Sequence, residues 1–290
     1  MTFDTSPGEL DQVLSRAAAA APSLSAARQA ERSRWLRAIA AQLSTHTEEL
    51  VALAQAETHL PEGRLSGEVK RTSVQLELFA DVLDEGNYVE AVIDLPDPDF
   101  SLGPKPDLRR MLVPIGPVAV YAASNFPFAF SVAGNDTASA LAAGCPVVVK
   151  AHPGHPRTSR RTAELVRAGL AEESAPEAAF ALVEGMEAGI ALATDERVKA
   201  AGFTGSVAGG RALFDLATGR PNPMKFYGEL GSINPVLVTA RAADERAAEI
   251  AEGFVGSFTL GVGQFCTKPG VVFVPAGHPV IDQIARSEEA

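Results

Sequence analysis

Val118-Ala-Val-Tyr121 and Pro146-Val-Val-Val-Lys150 are short apolar runs separated by a helix-length segment, Phe130 to Ala143. Three more runs follow, Ala179 to Val183, Val198 to Phe203 and Met224 to Tyr227. Helices are expected between them at Arg157 to Leu170, Ala188 to Ala193 and Ser206 to Leu216. Runs of this length without polar alternation suit strands covered on both faces, and the helical spacers supply the cover. The fold class expected is α/β: a doubly wound parallel sheet with right-handed crossovers. Such sheets bind ligands beyond the carboxyl ends of their strands, so function is expected in the loops after Tyr121, Lys150 and Phe203.

Working outward, the first 85 residues read as helices. Ala26 to Leu43 places Ala30, Trp35, Leu36, Ile39 and Leu43 near one face, and a second amphipathic helix is expected from Glu62 to about Leu83. Tyr88 to Ile93 and Arg109 to Val113 read as two strands joined by a proline-rich loop, a candidate oligomerisation hairpin spanning residues 88–113. After Gly228 a strand is expected at Pro235 to Val238, a helix at Asp244 to about Val255 and a strand at Val271 to Val274. The expected domains are thus residues 1–227, helices plus the parallel sheet with its ligand edge, and residues 228–290, the start of a second α/β domain.

Composition narrows the class. With 290 residues, 46% hydrophobic and 21% charged, the chain can fill a core and is not disordered in composition. Its formal charge of −11 and lack of a basic stripe argue against nucleic acid as a partner. Asp4, Glu9 and Asp11 precede the alanine run Ala17 to Ala21, the reverse of a secretory signal. Met111 to Asn135 is uncharged, yet Pro114, Pro117 and Pro127 suit a buried strand and loop better than a membrane span. A soluble, cytoplasmic protein is expected, with Cys145 and Cys266 as reduced thiols.

Taken singly, the candidate site residues each have an ordinary reading. Thr204-Gly205-Ser206-Val-Ala-Gly209-Gly210 follows a strand and opens a helix, which suits a phosphate or merely a helix cap at Ser206. Cys266 lies among Gly261, Gly263 and Gly270, where backbone can approach a ligand, whereas Cys145 enters an apolar strand and reads as inert. Lys150 ends a strand on the ligand side; Glu229 and Asn125 are a common acid and a common loop amide. His152 and His155 are near neighbours but lack a carboxylate or thiol in a ligand pattern, so no metal site is expected.

In chain order these pieces resemble the aldehyde dehydrogenase superfamily. Ser124-Asn-Phe-Pro127 is similar to its oxyanion-asparagine motif, Val147-Val-Val-Lys150 to its cofactor-lysine strand and Phe203-Thr-Gly-Ser206 to its pyrophosphate turn. Glu229-Leu-Gly-Ser-Ile-Asn-Pro235 is similar to the general-base motif and Gly263-Gln-Phe-Cys266 to the nucleophile motif. More narrowly, the last two resemble 2-oxoglutarate (α-ketoglutarate) semialdehyde dehydrogenases and related NADP-dependent enzymes. The resemblance implies Cys266 as nucleophile, Asn125 and the Cys266 N–H as oxyanion donors, and Glu229 as the base for thioester hydrolysis. It implies Lys150 on the adenosine ribose and Ser206, shaped by Thr204 and Gly205, on the pyrophosphate.

The loop after Lys150, Ala-His-Pro-Gly-His-Pro-Arg157, holds no carboxylate for a ribose. His152, His155 and Arg157 suit either a 2′-phosphate or a solvated basic loop, and on the first reading NADP is expected ahead of NAD. The expected partners are a small aldehyde and, at full length, further copies of the chain. Against the family pattern, the chain ends at Ala290, soon after Cys266, so a C-terminal truncation with weak turnover is expected. Alternatives are a catalytically silent interaction subunit, or a phosphorylating or coenzyme A-acylating dehydrogenase, which Glu229 disfavours. A short-chain reductase is disfavoured by Arg211 and by the lack of a Tyr-x-x-x-Lys pair.

Overall fold

The computed structural model describes residues 4–288. They form two compact units, one ending at Glu229 and one beginning at Leu230. The first opens with α1 (Pro7–Ala26), α2 (Gln29–Thr45), α3 (Thr47–Thr58) and α4 (Glu62–Glu85), then the short strands β1 (Val92–Asp94) and β2 (Leu108–Arg110). The alternating region follows as β3 (Val118–Tyr121), α5 (Asn135–Ala143), β4 (Val147–Lys150), α6 (Pro156–Glu172), β5 (Phe180–Val183), α7 (Met186–Thr194), β6 (Ala200–Thr204), α8 (Val207–Thr218) and β7 (Lys225–Glu229).

These strands make one sheet, ordered β5-β4-β3-β6-β7 and parallel throughout, as the sequence predicts. Val120, Val147 and Val149 pack with α2, α4, α5 and α6 residues on one face, while Ala119, Tyr121 and Val148 pack with α1, α7 and α8 residues on the other. Period-two alternation of side chains therefore feeds two apolar layers from a single run of valines. The chain winds outward through β4 and β5, then returns past β3 to β6. The loops after β3 and β6 consequently flank the point where winding reverses.

Element boundaries differ from expectation where tertiary contacts intervene. The helix expected from Ala26 begins only at Gln29, because Ala27 and Arg28 are both extended and Ala26 ends α1. Tyr88 is not in a strand: Arg32 Nη2 donates to its hydroxyl at 2.8 Å, and Gly86 and Glu90 on either side have positive φ. The hairpin pairs Ile93 with Arg109 instead. α5 starts at Asn135 rather than Phe130: the Phe130 carbonyl accepts from Ala123 N at 2.8 Å instead of from a helical N–H, and Gly134 is extended.

The second unit holds β8 (Pro235–Leu237), α9 (Ala240–Thr259), β9 (Val271–Phe273) and α10 (Val280–Glu288); β8 and β9 are parallel. α9 is longer than expected and departs from helical backbone at Arg246, and α10 has no counterpart in the sequence reading. Among the described residues no helix is long and apolar enough to cross a membrane.

α6 lies so close to α2 that a Cβ on Gly169 would sit 2.7 Å from Ile39 N and 2.9 Å from Ala38 C. Backbone cannot yield as a side chain can, so Gly169→Ala is expected to destabilise by about 1–3 kcal/mol. Gly67, inside α4, has nothing within 4 Å of such a Cβ, and Gly67→Ala should stabilise by about 0.5–1 kcal/mol. Urea denaturation of the two variants checks the opposite signs.

Candidate active site

Three of the expected residues close strands at the carboxyl edge of the sheet. Lys150 closes β4, Thr204 closes β6 and Glu229 closes β7, with Thr204 and Glu229 directly in register and Gly205 N donating to Glu229 O at 3.0 Å. Asn125 lies in the loop after β3. Ser206 is the N-cap of α8, its hydroxyl accepting from Gly209 N at 3.2 Å. Gly205 leaves room for the Phe203 ring, whose tip a Cβ there would meet at 2.7 Å. A helix N-terminus approached by bare backbone, with Ser206 still able to donate its hydroxyl hydrogen, fits a pyrophosphate.

Lys150 is half-buried, and desolvation pushes its ammonium below the ordinary lysine range, opposed by the charge of Asp4. Its stem runs along α7, 3.5 Å from where a Cβ on Gly189 would stand. On the other flank, Asp136 of α5 lies against β6, where a Cβ on Gly202 would meet its Oδ2 at 2.6 Å. Burial, and then the charge of Glu229, raise the Asp136 carboxyl.

The loop carrying Asn125 is held by side chains that sequence reading missed. Glu68 of α4 is 5% exposed, and its Oε1 accepts from Phe128 N at 2.8 Å and Ala129 N at 3.0 Å. Arg64, one turn earlier, donates from Nη2 to Asn125 O at 2.6 Å and stacks over Phe126 at 5.0 Å. Arg71 stands 5.0 Å over Phe130. The available signal was Glu68 itself, a carboxylate on the stripe of Leu65, Val69, Thr72 and Leu76 that α4 buries.

The proposed 2′-phosphate loop departs from expectation. His155 is fully buried, with Nε2 2.9 Å from Ala123 O and Nδ1 3.1 Å from Ser159 Oγ, so it is a structural side chain. His152 accepts from Gly154 N at 3.0 Å, and its pKa is lowered to about 4 by burial and by His155 and Lys150, which leaves it neutral at pH 7. The N-terminus of α6 already holds an anion: Glu57 accepts from Arg157 N, Thr158 N and Thr158 Oγ1 at 2.7–2.9 Å. Of the three residues, exposed Arg157 alone brings a positive charge.

Cys266 belongs to the second unit and is exposed, whereas Cys145 is buried. Gly261, Val262 and Gly263 all have positive φ, which turns the chain sharply after α9; for β-branched Val262 this is a strained conformation. The Cys266 carbonyl accepts from Ser232 Oγ and, at 2.7 Å, from Asn234 Nδ2, which also reaches Lys268 O at 3.0 Å. Ser232 and Asn234 thus tie the segment following Glu229 to the cysteine loop. Among the described residues no group of three or more His, Cys, Asp or Glu side chains is arranged to hold a metal ion.

Residues 4–286 match the profile described as the aldehyde dehydrogenase family. The chain is 48% identical over 256 residues to alpha-ketoglutaric semialdehyde dehydrogenase 2 of Azospirillum brasilense, covering 88% of this chain and 49% of that protein. It is 42% identical over 279 residues to alpha-ketoglutaric semialdehyde dehydrogenase of Acinetobacter baylyi, covering 96% and 53%. An aldehyde dehydrogenase structure from Brucella melitensis biovar abortus 2308 superposes with a TM-score of 0.81 at 24% identity, over 99% of this chain and 55% of the other. The chain spans about half the length of these relatives.

Glu68 yields a pH-dependent prediction. Burial raises its carboxyl in the folded state more than its two backbone hydrogen bonds lower it. Its share of stability is therefore fully present below the ordinary glutamate pKa of about 4.3 and is lost as pH rises through the raised value. Glu68→Gln keeps the acceptor and should abolish that decline. Glu68→Ala should cost about 1–3 kcal/mol for each N–H left without a partner. Urea denaturation across the pH range checks both.

Proposed function

Because the chain belongs to the aldehyde dehydrogenase family, we propose that it contributes the nucleotide site, oxyanion donor, base and nucleophile for NAD(P)-dependent oxidation of an aldehyde to a carboxylate. The aldehyde proposed is 2-oxoglutarate semialdehyde, supported by the two relatives of that name. The observation that carries the reading is the common edge at which Lys150, Thr204 and Glu229 close their strands, next to a loop that presents Asn125.

In this reading Cys266 Sγ attacks the aldehyde carbon, forming a C–S bond and a thiohemiacetal oxyanion. The Asn125 amide and the Cys266 N–H donate to that oxygen; a donor of this kind typically accounts for 10²–10³-fold in kcat. Arg64 fixes the Asn125 carbonyl, and Glu68 fixes the same loop at the Phe128 and Ala129 N–H groups. Bound NAD(P) supplies the acceptor for the hydride that leaves the same carbon, and the carbon becomes a thioester. Glu229 then takes a proton from water as the water adds to the thioester, and the thiolate leaves. Lys150 and Ser206 hold the ribose and pyrophosphate.

A reducing, cytoplasmic setting belongs to the same reading, since the chemistry needs Cys266 as a thiol. So does self-association: Ile93, Leu108, Met111 and Leu112, in and beside the hairpin, are exposed apolar residues that suit packing against a second copy.

Cys266→Ala should abolish aldehyde oxidation, and Asn125→Ala should lower kcat by about 10²–10³-fold. Glu229→Gln should retain a first-turnover burst of reduced nucleotide while steady turnover falls. Stopped-flow absorbance at the reduced-nicotinamide band checks all three. Full activity in Cys266→Ala, or a burst lost together with steady turnover in Glu229→Gln, contradicts the assignment.

A further inference from the structure

The carboxylate that the loop after Lys150 lacks comes from elsewhere in the chain. Thr5 is clamped to the end of β5 by two hydrogen bonds, Thr5 N to Glu184 O at 3.0 Å and Glu184 N to Thr5 Oγ1 at 2.9 Å. Ser6 is fixed immediately after by a reciprocal cap with Glu9. Asp4 is thereby held against Gly185, where a Cβ would meet its Cγ at 2.9 Å and its Oδ1 at 3.0 Å. Gly189 is four residues further along, on the same side of α7, and borders the stem of Lys150. Two bare glycines one helical turn apart thus separate an exposed carboxylate from a half-buried ammonium at the carboxyl edge of the sheet.

We propose that Asp4 and Lys150 together form the adenosine-ribose subsite, with the Asp4 carboxylate accepting from the ribose hydroxyls and selecting NAD over NADP. This rests on the cofactor reading above. An ionised carboxylate only accepts hydrogen bonds, so it matches a vicinal diol and faces a 2′-phosphate with like charge. The charge of Asp4 is already felt at Lys150, where it opposes the effect of burial. Two nearby basic side chains, Arg160 and His152, are committed or neutral. Arg160 makes a two-point pair with Glu184 at 2.7 Å, His152 is neutral, and Glu57 occupies the start of α6. Arg157 is left as the one residue of the 2′-phosphate reading that favours NADP.

Isothermal titration calorimetry of the chain with NAD⁺ and with NADP⁺ tests this without turnover. NAD⁺ should bind about tenfold or more tightly than NADP⁺. Asp4→Asn, which keeps the shape and removes the charge, should bring the ratio close to one, chiefly by improving NADP⁺. A ratio unchanged in Asp4→Asn, or a parent chain that prefers NADP⁺, overturns the assignment of Asp4 while leaving the nucleotide site intact. Binding of neither nucleotide to the parent chain overturns the cofactor reading, and the role of Asp4 with it.

Discussion

Everything in the first unit follows from keeping water off both faces of β3 and β4. Val147, Val148 and Val149 are completely buried, and their alternate side chains belong to separate apolar layers. A parallel sheet in that position can pair its backbone only with neighbouring strands, and each connection must cross a face as a helix. The carboxyl ends of all five strands therefore lie along one edge, and only there can polar residues close a strand without entering the core. Lys150, Thr204 and Glu229 occupy that edge because the interior excludes them.

Among the polar interactions near the edge, burial decides which ones matter. Exposed pairs such as Arg211 with Asp215 on α8 contribute about 0–1 kcal/mol. The two N–H groups satisfied by Glu68 would each cost about 1–3 kcal/mol if orphaned. A buried carboxylate is an expensive acceptor, as its raised pKa records, yet it fixes the Phe128–Ala129 backbone that follows Asn125. Arg64 adds a donor to the Asn125 carbonyl. The oxyanion donor assigned to Asn125 is thus held from its backbone side by one face of α4.

The sequence was informative where the determinants are local. Alternating valine runs and helical spacers specify the sheet, and Ser206 three residues before Gly209 reads as the cap it is. Boundaries slipped where a partner outside the segment intervenes, as when Arg32 draws Tyr88 into a turn or Ala123 N takes the Phe130 carbonyl ahead of α5. The same limit explains the nucleotide loop. His155 looks basic in sequence, but the Ala123 carbonyl and Ser159 hydroxyl enclose it, contacts 32 and 4 residues away. Asp4 and Glu57 reach this region from far along the chain, and no spacing rule connects them to Lys150 or Thr158.

The most direct measurement of the covalent route is peptide mass spectrometry of the chain quenched during reaction with 2-oxoglutarate semialdehyde and NAD(P)⁺. The predicted result is an acyl adduct on the peptide containing exposed Cys266, with buried Cys145 unmodified. Reduced nucleotide accumulating without any adduct on Cys266, or with the adduct on Cys145, would contradict it.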